Sequence, residues 1–237
     1  DGDIYIEALK ELGIKTDYLK KNDGFTPKAN INSDSDGNQI VSFAPGVIGM
    51  DSDDFVLPEI ASEGDIMLIG PENHNRMLQA FEQATSKKLR VFFDPGQLIH
   101  TFSKEEFEKV LSGCDGLFVN SYEWELLKKI SEKTEEEIVK TISLIFITDG
   151  ENGVKIYENG IEDHCPAHQI EQFIDPTGAG DAFRAGVLSG MFRGHDVLKS
   201  ARLGTIMGAA CVEKKETQGH KITDRLKREI ENLGFSL

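Results

Sequence analysis

Positive charge is in short supply in this chain. Against 41 Asp and Glu there are 26 Lys and Arg, a formal net charge of −15, with no clustered basic run. The phosphate backbone of a nucleic acid would be repelled, so nucleic acid is excluded as a partner class. A nucleotide site in such a chain has to rely on helix N-termini and bound magnesium rather than on bulk charge. Cysteine is scarce too. Cys114, Cys165 and Cys211 are odd in number, widely spaced and without a Cys-x-x-Cys pair, which argues against a disulfide framework and for the reduced thiols of a cytoplasmic protein. Long apolar runs are missing: Leu89–Phe93 and Leu144–Ile147 fall far short of the ~20 residues that cross a bilayer, and neither a charged leader nor an apolar signal core precedes Asp1. No membrane partner is expected.

Several familiar signatures are absent as well. There is no Gly-x-x-x-x-Gly-Lys-Ser/Thr, which excludes a Walker-type phosphate loop. Gly178-Ala179-Gly180 lacks the third glycine of a dinucleotide fingerprint, and no Gly-x-Ser-x-Gly elbow serves a serine hydrolase. His164-Cys165-Pro166-Ala167-His168 has no partner pair to complete a four-donor zinc site.

What is present is a pattern of alternating elements. Ile4, Ile6, Ala8, Leu9 and Leu12 predict a helix that Gly13 closes. Residues 17–45 change character: short strands are expected at Asp17-Tyr18-Leu19, 26–31 and 39–43, with turns at Asn22-Asp23-Gly24 and Asp34 to Asn38, forming a small sheet set apart from the main body. From residue 64, apolar strands at 66–69, 91–93, 116–119 and 144–147 alternate with amphipathic helices at about 73–87, 103–112 and 121–130. That rhythm predicts an α/β fold with a mainly parallel sheet and helices on both faces. A hairpin over 153–165 and helices at 181–193, 196–213 and 222–233 complete it.

The heptapeptide Asp175-Pro176-Thr177-Gly178-Ala179-Gly180-Asp181 carries the clearest chemistry. Its glycines allow a tight turn with N–H groups aimed one way, and the helix that follows adds its positive end, so a phosphate would sit there readily. That helix end favours the Asp181 carboxylate by ~0.3–2 kcal/mol. An acid beside a phosphate cradle points to a base; the alternative is an acid that merely complements the helix dipole. Asn120 and Glu123 follow the strand 117–119, at the sheet edge where open α/β folds bind ligands, and can equally be an N-cap and a first-turn acid. Asp94, before Pro95-Gly96, reads either as a second acid of that site or as a turn residue.

Three motifs in order, Asn120-Ser121-Tyr122-Glu123, Thr148-Asp149-Gly150-Glu151-Asn152-Gly153 and Asp175 to Asp181, resemble those of the ribokinase-like, or PfkB, family of sugar and nucleoside kinases. Asp94-Pro95-Gly96-Gln97 and Thr217-Gln218-Gly219-His220 lean towards its prokaryotic adenosine or nucleoside kinase branch. The resemblance implies a three-layer αβα sandwich, with residues 17–45 as a β lid and 46–237 as the nucleotide-binding and catalytic core. Residues 1–16 would be a core helix following an N-terminal segment that these residues do not include. It implies ATP and Mg²⁺ as cofactors and, through Asp175 and Thr177, a monovalent cation such as K⁺. Asp181 would be the general base, and Gly178, Ala179 and Gly180 the anion hole. Asn120, Glu123, Thr148, Gly150, Gly153, Ala209 and Gly219 would bind the nucleotide, with Glu123 and Asp94 as the magnesium residues. The acceptor would be a small-molecule nucleoside or ribose-like sugar, adenosine first, with a homodimer joined through the lid. Two alternatives stay open: a kinase for fructose or ribose, and a catalytically silent nucleotide- or sugar-binding module.

Overall fold

The computed structural model describes residues 2–33, 39–50, 55–215, 217–218 and 222–235. The expected turn from Asp34 to Asn38 and the candidate Gly219 lie outside the described residues.

The chain opens with α1 (Gly2–Glu11), which buries none of its residues, and Gly13 just beyond it has a positive φ of 74°. Next come β1 (Lys28–Ser33) and β2 (Gln39–Ala44), an antiparallel pair that forms a sheet of its own. The strand expected at Asp17-Tyr18-Leu19 is not one. Those residues form a turn closed by Leu19 N–H donating to Thr16 O at 3.0 Å, because no neighbouring strand among the described residues offers them a ladder.

The second sheet has six strands: β3 (Ile66–Ile69), β4 (Arg90–Phe93), β5 (Gly116–Asn120), β6 (Leu144–Thr148), β7 (Val154–Glu158) and β8 (Ile161–Cys165), side by side in chain order. The pairs from β3 to β6 are parallel, and β7 and β8 add antiparallel. Parallel strands need crossovers, which α2 (His74–Ser86), α3 (Lys104–Gly113), α4 (Ser121–Ser131) and the short α5 (Glu135–Val139) supply. Local chemistry starts each of them. Asn73, Ser103, Asn120 and Thr134 accept from first-turn amides, the last three in reciprocal capping boxes with Glu106, Glu123 and Glu137. The chain ends with α6 (Ala179–Phe192), α7 (Val197–Val212) and α8 (Asp224–Asn232).

Side-chain alternation along the strands divides the core into two layers. Val91, Phe93, Leu117, Val119, Ile145 and Ile147 face α2 to α5, where Phe81, Phe107, Val110, Leu127 and Ile138 meet them. Phe92, Phe118, Phe146, Val154 and Ile156 face α6 and α7. Phe118 and Phe146 stack with centroids 4.9 Å apart and present their edges to Phe183 of α6. The result is a three-layer αβα sandwich. Among the described residues, no helix is long and apolar enough to cross a membrane.

Helices α6 and α7 approach closely. A Cβ on Gly204 would stand 2.8 Å from the Phe183 carbonyl oxygen and 2.8 Å from Val187 Cγ2, and one on Gly186 would be 2.7 Å from Gly204 Cα. A Gly→Ala change inside a helix ordinarily gains about 0.5–1 kcal/mol. Here the overpacking cost of about 1–3 kcal/mol should win, since backbone cannot rotate away. Gly204→Ala is therefore expected to lose on the order of 1 kcal/mol, read from its urea midpoint against wild type. An equal or higher midpoint would show that the two helices stand further apart.

Candidate functional site

Three of the sequence-selected residues lie at the carboxyl ends of neighbouring parallel strands. Asp94 follows the last residue of β4, Asn120 ends β5 and Thr148 ends β6; Asn120 and Thr148 are ladder partners. This edge is the usual ligand edge of an open α/β sheet. Asn120 and Glu123 form the expected cap: Glu123 N–H donates to Asn120 Oδ1 at 2.8 Å, and Asn120 N–H to Glu123 Oε2 at 2.9 Å. One oxygen of Glu123 is thereby fixed. Burial raises its carboxyl above the usual range, opposed by the Asn120 hydrogen bonds and the Arg184 charge.

The glycine turn lies against the far end of α7. Ile174 and Asp175 donate their N–H groups to Val212 O at 3.0 and 3.1 Å, and Cys211 Sγ–H points to Thr177 O at 3.5 Å. Gly178 has φ 87° and caps α6, a left-handed conformation that glycine adopts without strain. Helix α6 starts at Ala179, two residues earlier than the sequence pattern places it. The Ala179 N–H donates to Pro176 O at 3.1 Å, closing the turn, and Ala182 N–H is held by Gly178 O at 2.9 Å. Of the three expected anion-hole amides, that of Ala179 is thus engaged. Gly180 and Asp181 carry the N–H groups that a helix start leaves unpaired within itself.

Arg184, which sequence reasoning overlooked, joins these parts. One turn along α6 from Asp181, it donates from Nη2 to Asp181 Oδ1 at 2.7 Å, while its Nε lies 3.0 Å from Asp94 Oδ2. Asp94 is 2% exposed. Its Oδ1 accepts from Gly96 N–H at 3.0 Å, and its Oδ2 has no aligned hydrogen bond despite the nearby Nε. Burial pushes the Asp94 carboxyl up to about 6; Arg184 draws it down, while Glu123 and Asp181 push it further up. Asp94 and Asp181 thus share one guanidinium, whose charge also favours the ionised form of Glu123. The signal in the sequence was an arginine at i+3 from an acid inside an otherwise apolar helix.

The remaining candidates form a second group. Gly150 and Gly153, with φ 53° and 90°, bound a single helical turn between β6 and β7. Asp149 accepts from Ser121 Oγ at 2.7 Å and Asn152 Nδ2 at 2.9 Å, which holds its carboxyl below the usual range and ties this loop to the start of α4. Thr148 Oγ1 reaches back to Val119 O at 3.4 Å. No hydrogen bond or ion pair among the described residues links Gly150 or Gly153 to residues 178–180. Asp175 Oδ1 accepts from Thr177 N–H at 2.9 Å, an Asx turn leading into the glycines. Ala209 is buried in α7, and a Cβ on its neighbour Gly208 would lie 3.4 Å from Ala179 O, so small residues bring α7 up to the start of α6. Among the described residues, no group of three or more His, Cys, Asp or Glu is arranged to hold a metal ion.

Comparison with known proteins places the chain in a family and a fold. Residues 1–224 match the pfkB family carbohydrate kinase pattern. A nucleoside kinase of Methanocaldococcus jannaschii is 30% identical over 230 residues, covering 94% of this chain and 75% of that protein. The Burkholderia thailandensis nucleoside kinase in complex with inosine superposes with a TM-score of 0.87 at 28% identity, covering 98% of this chain and 77% of the other. Its complex with ADP-inosine gives 0.88 at 29% identity, covering 99% and 74%. With a helix start and an exposed acid set beside the carboxyl edge of a parallel sheet, and with that match over nearly its whole length, this chain belongs to the pfkB family of carbohydrate kinases, phosphotransferases that act on hydroxyl groups.

Proposed function

We propose that this kinase phosphorylates a nucleoside, adenosine first, transferring the terminal phosphoryl group of ATP to its primary hydroxyl. The observation that carries this reading is the exposed Asp181 on the first turn of α6, directly behind the glycine turn. Asp181 accepts the hydroxyl proton as the new O–P bond forms and ADP leaves. The N–H groups of Gly180 and Asp181 stabilise the charge that builds on the transferring oxygens; Gly178 and Ala179 shape the turn that aims them. The nucleoside assignment is supported by relatives named as nucleoside kinases and by the inosine and ADP-inosine complexes of one of them. A sugar acceptor such as fructose or ribose draws support from a 28% identical Archaeoglobus fulgidus protein described as an uncharacterized sugar kinase.

Thr148, Gly150, Gly153 and Ala209 are proposed to hold the nucleotide, with Asn120 and Glu123 at its phosphates. Magnesium in such sites is held by one or two carboxylates together with substrate phosphates and water, so a donor set without a dedicated three-residue cluster fits it. The free oxygen of Glu123, and Asp94 behind it, would hold the ion, which when bound neutralises charge on the phosphates. Asp175 and Thr177 are proposed for a monovalent cation. The hairpin within residues 17–45 is proposed as the lid that closes over the acceptor and excludes water. Its exposed Ile40 and Phe43 suit contact with a second copy.

Asp181→Asn should lower the phosphoryl-transfer rate of the full-length protein by about 10²–10⁴-fold, with little change in ATP affinity. Single-turnover ADP release with a panel of nucleosides and free sugars measures it, and also identifies the acceptor. A folded variant with the wild-type rate would remove Asp181 from the base role, and ATP binding without turnover of any acceptor would favour a silent binding module.

Glu123→Gln keeps the shape of the cap but removes one charge from the proposed metal site. The magnesium concentration giving half-maximal rate is expected to rise, while the thermal midpoint changes little. Identical magnesium dependence in variant and wild type would leave Glu123 with its capping role alone.

A further inference from the structure

An aspartate carboxylate at a helix start has a loose terminal torsion, and Asp181 is 80% exposed. Water alone would not select one orientation for it. The hydrogen bond from Arg184 Nη2 engages Oδ1 and leaves Oδ2 outward. Arginine is itself a floppy side chain, costly to order unless something fixes it. Asp94 is that fixture: its side chain is 3% exposed, its backbone N–H is tied to β3 through Ile69 O at 2.9 Å, and its Oδ2 faces Arg184 Nε. Nε and Nη2 form one edge of the planar guanidinium: Nη2 hydrogen-bonds Asp181, while Nε stands 3.0 Å from Asp94 Oδ2 as an ion pair without an aligned hydrogen bond. Against the same group lies Gly180, where a Cβ would stand 3.2 Å from Nη1, so the plane also rests on the glycine turn. Glu123 senses the same cation from the start of α4.

We propose that Arg184, anchored on buried Asp94, is a positioning residue that holds one oxygen of Asp181 and leaves the other to face the acceptor hydroxyl. The inference rests on the reading of Asp181 as the base and adds the mechanism by which an exposed acid keeps a fixed orientation. Arg184 acts through Asp181 and not on the phosphates. A compact ammonium cannot span both carboxylates, so lysine at this position would supply the charge without the geometry.

The test is a double-mutant cycle on the full-length protein with single-turnover kinetics. Arg184→Gln should lower kcat by roughly 10–100-fold, the scale of a misplaced reacting group, while KM for Mg–ATP stays within about twofold. In an Asp181→Asn background the same change should cost less than about threefold, because the carboxylate it orients is already gone. Removing Arg184 leaves Asp94 as an uncompensated buried charge, which can prevent folding. The Asp94→Asn, Arg184→Gln double variant removes both charges; assayed at saturating magnesium, because Asp94 is also proposed at the ion, it should show the same fall in kcat with a native melting transition. A folded Arg184→Gln protein with wild-type kcat would overturn the proposal. So would an equal loss in both backgrounds with a raised KM for Mg–ATP, which would place Arg184 on the phosphates. Loss of activity in Asp181→Asn with none in Arg184→Gln would leave the kinase reading intact and remove only the positioning role; wild-type activity in Asp181→Asn would overturn the base reading itself.

Discussion

The backbone contact between α6 and α7 at Gly186 and Gly204 is the constraint on which the candidate site depends. Phe183 presents its ring to the stacked Phe118 and Phe146, so α6 is held from below by the sheet and from the side by α7. Aromatic pairs of this kind contribute about 0.5–1.5 kcal/mol each beyond burial. The helix therefore cannot slide along its axis without breaking both contacts. Its first turn is fixed relative to the strand ends, and with it the amides of Gly180 and Asp181. Val212 at the end of α7 receives the two amides that precede the turn, so the same helix pair also sets the approach of the chain.

Much of this arrangement was legible in the sequence, for reasons that differ from part to part. Strands such as Leu144–Thr148 are buried on both faces, and a continuous β-branched and aromatic run bounded by turn residues has few other interpretations. Helix starts were legible where a capping residue preceded an apolar period. The short helix Glu135–Val139 escaped notice although Thr134 and Glu137 carry its capping box, because five residues are too few to display a period. Asp17-Tyr18-Leu19 misled in the opposite direction: strand composition is not a strand until a neighbour supplies hydrogen bonds.

For the candidate site, the sequence proposed residues but not the connections between them. Asp181, the glycines and the strand-end residues Asp94, Asn120 and Thr148 follow from local signals of turn, cap and strand boundary. The bridge to Asp181 begins with the pair of Asp94 and Arg184, 90 residues apart in numbering, and no local pattern can report it. The engaged Ala179 amide was likewise invisible, since it depends on how Asp175-Pro176-Thr177 turns. Long-range electrostatics and loop geometry are products of the assembled fold.

The two ion pairs of Arg184 lie on opposite sides of the solvent boundary, one partner 3% exposed and the other 80%. Dissolved ions screen an exposed pair over a Debye length of about 8 Å at physiological salt, and reach a buried pair far less. Rising ionic strength therefore loosens the guanidinium's grip on Asp181 while its grip on Asp94 persists. Arg184 stays in place as its hold on the outer carboxylate weakens. The hold on the outer acid is thus more sensitive to the composition of the medium than the anchor on Asp94 is.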